Sequence, residues 1–290
     1  MNAPLLGLLL AGSLLAAPVR VLIVDGQNNH KWQETTPALR EIIGKAGKRF
    51  TVQVATTPPE KGDMSGFQPD FKQFDVVLLN YVGDDWPVAA REAFLTFVRD
   101  GGGVVVYHAA NNAFADWPEF NEIIGLGGWG GRTEKSGPWV RWRDGKMVKE
   151  QLPGKSGSHG KRHAYAITAR APEHPIMKGL PPVWMHAEDE LYDRLRGPAN
   201  IDVLLATAYS EPSTNGTGEH EPLLFTLKFG QGRIFHDGLG HDRVALACIG
   251  FQTTLLRGLE WAATGKVTIP VPKNFPTATA VAAVPLAPLQ

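Results

Sequence analysis

A chain of 290 residues has room for one large α/β domain or two small ones, and with 43% hydrophobic and 20% charged residues it can bury a sizeable core. Its 29 Lys and Arg balance 29 Asp and Glu, which leaves no electrostatic footprint for nucleic acid or for an anionic membrane surface. The single cysteine, Cys248, excludes an intramolecular disulfide and a cysteine-based metal cluster.

Residues 5–17 form an apolar run of signal-sequence length that ends in small residues. A signal peptide over 1–17 is expected, and with it a bacterial periplasmic or secreted protein. Two features depart from the pattern: no Lys or Arg precedes the run, and Leu15 stands at position −3 if cleavage follows Ala17. A misassigned start with an apolar tail is the alternative. No other run is long enough for a membrane helix, so no integral membrane segment is expected once the signal is removed.

The β-branched run 19–24 reads as a buried parallel strand and is followed by a polar loop, 27–32. Thr36 as N-cap and Pro37 as first helical residue predict a helix that passes Ile42 and Ile43 and stops near 44–47. Strands follow at 50–55 and 75–80, then a helix at 88–99 broken by Gly101, Gly102 and Gly103, then a strand at 104–108. This alternation predicts a three-layer αβα domain with a mainly parallel sheet. Ligands bind beyond the carboxyl ends of such strands, which singles out 25–30, 80–85 and 108–112.

The segment 125–160 is rich in Gly, Trp, Lys and Arg and reads as inserted loops with a hairpin from 139–143 through the turn Asp144-Gly145. Strands are expected at 165–169, 183–192, 203–208, 223–229 and 233–237, and a last helix at 243–263. One domain, 18–268, contains them. The Pro- and Ala-rich tail 269–290 is expected to wrap the surface or stay disordered.

Nine histidines occur, and several fall at strand ends or in loops. His108 closes the fourth strand and His241 follows the last one. If 183–192 is one strand, its period of two sets His186, Glu188, Glu190 and Tyr192 on one face. A His, carboxylates and a phenol together suit acid–base work or a metal. The catalytic candidates are therefore His108, Glu190, His241 and Tyr192. His30, Asn111, Asn112, Trp129, His159 and His186 are candidates for substrate binding. A divalent cation such as zinc or manganese would draw on His108, His186, Glu190 and His241. Each histidine taken singly has a plain alternative as a hydrogen-bonded structural residue. Trp129, Trp139 and Trp142 offer flat apolar faces to a sugar ring, with a core role as the alternative.

Other chemistries lack their marks. No G-x-S-x-G elbow is present, and the glycines at 127–131 neither follow a strand nor open a helix. Cys248 lies in an apolar segment and reads as a buried thiol.

Seven segments taken in order resemble the ThuA-like (trehalose utilisation) family: 24–30 (VDGQNNH), 102–110 (GGVVVYHAA), 117–120 (WPEF) leading to Ile124-Gly125, 174–180 (HPIMKGL), 188–192 (EDELY), 229–235 (FGQGRIF) and 239–242 (LGHD). They cover about residues 19–268. The resemblance implies a flavodoxin-like fold of the class I glutamine amidotransferase type. In true amidotransferases a Cys follows a central strand and a His a later one. Here His108 follows the strand, no Cys is near it, and His241 falls about where the later His would. Without a thiolate no glutamyl thioester forms, so amidotransfer is not expected. The resemblance also implies a saccharide, glycoside or 3-keto-sugar as ligand, acted on by acid–base and metal-assisted chemistry. A non-catalytic saccharide-binding or accessory module is the alternative.

Overall fold

The computed structural model describes residues 17–289. The expected signal segment, apart from Ala17, lies outside the described residues.

The chain runs β1 (Val19–Asp25), α1 (Trp32–Lys45), β2 (Phe50–Thr56), β3 (Val76–Leu79), α2 (Val88–Arg99), β4 (Gly103–Tyr107) and α3 (Pro118–Ile124). The hairpin β5 (Trp139–Arg143) and β6 (Lys146–Glu150) comes next, then β7 (Ser158–His159), β8 (His163–Ala169), β9 (Val183–Asp189), β10 (Tyr192–Asp193), β11 (Val203–Tyr209), β12 (His220–Phe229) and β13 (Gly232–Asp237). Helices α4 (Arg243–Leu246) and α5 (Ile249–Thr264) close the domain.

The main path of the large sheet has the order β2-β1-β3-β4-β13-β12-β11-β8-β9. Its ladders are parallel from β2 to β13 and antiparallel from β13 to β9. The α/β class holds, with a mixed sheet whose parallel half carries the αβα layering. Alternate residues of each central strand face opposite layers. Val21, Ile23, Val76, Leu78, Val105 and Phe235 pack with α1 and α5, whereas Leu22, Val24, Val77, Leu79, Val104 and Ile234 pack with α2 and α3. Burial on both faces explains why these strands read as continuous apolar runs.

Three expected boundaries moved, each for a local reason. Helix α1 begins at Trp32, and Pro37 lies inside it. The Thr35 and Thr36 hydroxyls accept hydrogen bonds from the Asn80 amide at 3.0 Å instead of capping a helix start. The last helix is interrupted at Ala247 and Cys248, where the tail pairs with the chain: Ile249 N donates to Ala282 O and Val284 N to Ala247 O. The tail therefore lies along the surface. The expected strand 183–192 stops at Asp189, whose side chain bonds main-chain donors, and the chain turns before β10.

Candidate functional site

Strands β1, β4 and β13 are parallel members of the central sheet, so their carboxyl ends share one edge. The loop after β1 brings His30 to that edge, the turn after β4 brings His108, and the loop after β13 brings His241. Glu190 arrives from the far end of the sheet. Strand β9 packs on α4 and α5, which carries the antiparallel half back over the same edge. One ligand atom from each of His30, His108, Glu190 and His241 lies within 4.8 Å of the others.

Glu190 Oε2 is 3.1 Å from His241 Nδ1, 3.6 Å from His30 Nε2 and 3.8 Å from His108 Nε2. The ring pairs His30–His108 and His30–His241 meet edge to face at 4.9 and 4.6 Å. His108 Nδ1 is 2.9 Å from Gly238 O, and a carbonyl only accepts, so Nδ1 carries the proton. Its Nε2 faces the cluster, where it is buried without a hydrogen-bond partner. His30 Nδ1 lies 3.3 Å from Asn28 Oδ1, which turns Nε2 inward in the same way.

Burial opposes ionisation of Glu190, but His108, His241 and His30 outweigh it and hold the carboxyl far below the usual carboxylate range. Burial, with repulsion from His108 and His241, pushes the His30 imidazole down. Burial also works against protonation of His241, yet Glu190 beside it pushes that imidazole up.

The group forms part of the wall of a cleft of about 800 Å³. Trp129, His159 and Tyr192 line one side, and Lys31, Glu34, Arg162 and Asp242 lie around it. His159 pairs with Tyr192 across the short β7–β10 ladder, and its Nε2 is 3.6 Å from Glu190 Oε1. Of the cations that line the cleft, Lys31 pairs with Glu34 at 3.2 Å and Arg162 with Asp242 at 2.7 Å, whereas Arg243 donates to the Ala287 carbonyl.

Residues 20–262 match a family profile described as ThuA, trehalose utilisation. The chain belongs to the ThuA family. A ThuA-like protein of Parabacteroides merdae is 52% identical over 92% of this chain and 98% of its own, with a TM-score of 0.90. A ThuA-like protein of Bacteroides uniformis shares the fold at 16% identity and a TM-score of 0.57, covering 89% of this chain and 98% of its own. A cytoplasmic protein of Salmonella typhimurium does so at 15% identity and a TM-score of 0.51, over 84% and 99% of the two chains. No curated protein matches the chain.

In this ThuA chain the turn after β4 holds His108 at φ 42°, in the left-handed region that a side chain rarely adopts. An imidazole, not a thiol, stands at this strained turn. Cys248 is fully buried, as expected, and lies outside the cleft.

The structure brings His108, Glu190, His241 and Tyr192 together, and His30 joins the first three in the group of potential ligand atoms. The Tyr192 ring lies 4.2 Å from that of His108, and its hydroxyl is 3.5 Å from His30 Nε2. Asn112, Trp129 and His159 line the cleft. Other residues singled out from the sequence are placed elsewhere. His186 is fully buried and bonded to Asp189 at 2.8 Å, and Glu188, beyond the cleft lining, is exposed. The period-two face fails because β9 ends before Glu190. Asn111 is buried with its amide on His236 Nε2 at 3.1 Å, so it supports the turn rather than the ligand. Trp139 stacks on Arg196 and Trp142 on Arg170, both outside the cleft. Lys31, Glu34 and Arg162 were not anticipated, because no local motif marks a rim residue. Arg162 sits directly before the β8 strand, which was the one signal available.

Proposed function

We propose that this cleft binds a saccharide, glycoside or 3-keto-sugar and transforms it by acid–base chemistry beside a divalent cation. The observation that carries the reading is the convergence of three imidazoles and one carboxylate, of which His30, Glu190 and His241 line a cleft of about 800 Å³ and His108 is buried behind them.

The residues fit a cation. Ligand bonds of 2.0–2.1 Å in a tetrahedron set ligand atoms about 3.4 Å apart, and the distances of 3.1, 3.6 and 3.8 Å from Glu190 to the three imidazoles bracket that value. The buried His108 Nε2, without a hydrogen-bond partner, is otherwise a cost without compensation. Three imidazole nitrogens and one carboxylate oxygen favour zinc over calcium or magnesium, and manganese is the harder alternative that the carboxylate would serve. A bound cation would polarise a sugar carbonyl or hydroxyl oxygen.

The remaining groups supply orientation and proton traffic. His159 Nδ1 is held by Gly160 O at 2.9 Å, so its Nε2 accepts a proton from the cleft side. Tyr192 carries a hydroxyl, which burial and nearby Glu190 keep protonated and therefore able to donate. Trp129 presents an apolar face to the pyranose. A keto group at C3 would acidify the C2 proton, and a base beside the cleft would then open isomerisation or elimination. Amidotransfer is left aside, because the only thiol is buried away from the cleft.

The apolar N-terminal segment supports export to the periplasm or medium as part of the same reading, and scavenging of saccharides suits that location. Among the described residues no helix is long and apolar enough to cross a membrane. Incubating the protein with disaccharides and their 3-keto forms, with and without added zinc or manganese, tests the proposal. Metal-dependent turnover of a keto-sugar is the expected result. Saccharide binding without turnover in any metal would make this a binding module instead.

A further inference from the structure

We propose that Asp189 is the positioning residue that sets the ligand group, by clamping the main chains of Glu190 and His241 to one buried carboxylate. The inference rests on the reading of that group as a cation site.

The Asp189 carboxylate is fully buried. Oδ1 accepts from Glu190 N at 2.8 Å and from His241 N at 3.0 Å. Oδ2 accepts from Gly240 N at 2.7 Å and is 2.8 Å from His186 Nε2. A carboxylate has about four lone-pair sites, and all of them are taken. Burial opposes its ionisation, but the His186 imidazole outweighs burial and keeps it charged.

Two of the four donors are the main-chain N–H groups of residues whose side chains are ligands. Those residues come from strands that are not neighbours: β9 ends the sheet's main path and β13 lies inside it. The carboxylate is therefore a direct bridge between two independent loops. The opposite side of the β13 loop is tied as well, with Tyr107 Oη donating to Gly240 O and His108 Nδ1 donating to Gly238 O. Asp189 and the end of β4 grip this loop from two directions, and three of the four ligands are attached to that grip.

An amide at position 189 keeps the shape but not the function. Its oxygen accepts from two donors at most, and its NH2 faces N–H groups that need acceptors. The loops must then separate, which shifts the Glu190–His241 distance. Groups that orient ligands in this way change metal affinity by about 10–100-fold when altered.

The test is titration of the full chain with Co2+, read by its visible ligand-field band, together with the thermal midpoint of each protein. Asp189→Asn should bind Co2+ about 10–100-fold more weakly than wild type, with a displaced band. His186→Gln, which keeps the carboxylate but loosens it, should displace the band less. Leu255→Ala, buried on α5, should lower the thermal midpoint yet keep wild-type affinity and spectrum. If Asp189→Asn does not fold, an unshifted band in His186→Gln overturns the proposal. Wild-type affinity and spectrum in folded Asp189→Asn also overturns it. A wild type that takes up no Co2+ refutes the cation reading itself and the inference with it.

Discussion

His108 holds a left-handed backbone that costs a side-chain-bearing residue about 1–2 kcal/mol. Alanine keeps that cost and glycine does not. His108→Ala and His108→Gly should both lose bound metal and activity, and calorimetry should find the glycine variant no less stable than the alanine one. A glycine variant clearly less stable would show that the turn is unstrained. Cys248 is fully buried beside His186, so Cys248→Ser should keep activity with a stability loss of about 1 kcal/mol. Complete loss of activity in a folded Ser variant would place the thiol in the chemistry. At this scale the sequence was legible where a residue follows a strand of the parallel half, directly as His108 does after β4 or within a short loop as His241 does after β13. His186 was misplaced because alternation was extended past Asp189. That break depends on an Asp189 bond to Gly240, which lies 51 positions away, and local patterning carries no such information.

The loop after β13 is the element on which the site depends. Gly240 sits there at φ 104°, and a Cβ would come within 2.6 Å of the Tyr107 ring. Gly240→Ala should push His241 away from Glu190 and reduce metal stoichiometry even where the protein still folds; full metal loading would show that the loop tolerates the shift. At the end of β13, burial raises the Asp237 carboxyl to about 8. The folded chain thus keeps this proton up to about pH 8, whereas the unfolded chain releases it near pH 4. Stability from this group is present below pH 4 and is lost as pH rises from 4 to 8. Asp237→Asn removes that slope, so its thermal midpoint should gain on wild type as pH rises from 4 to 8. An unchanged difference across that range would mean the carboxyl is ionised in the fold. Elements were more legible than their ends. The limits of α2 and β5 agree with composition and turn signals alone, whereas α1 and α5 were displaced by contacts with Asn80 and with the tail.

Over the whole molecule, the parallel half supplies the edge and the antiparallel half curls round to supply Glu190. The class of fold followed from strand–helix alternation, but the curl did not, since it depends on β9 packing against α4 and α5. The tail closes that contact, with Thr277 O accepting from Met185 N and Ala282 O from Ile249 N. Truncation after residue 269 should lower the thermal midpoint by several degrees, and an unchanged midpoint would make the tail incidental. The central claim is that the four convergent residues hold a cation. Its most direct test is the metal content of the purified protein by mass spectrometry, with His30→Ala and His241→Ala beside wild type and His163→Ala, which lies outside the ligand group, as control. Near-stoichiometric zinc or manganese in wild type and control, absent from both ligand variants, is the predicted result. Metal absent from all four proteins even after incubation with zinc and manganese, or retained in both ligand variants, would contradict the account.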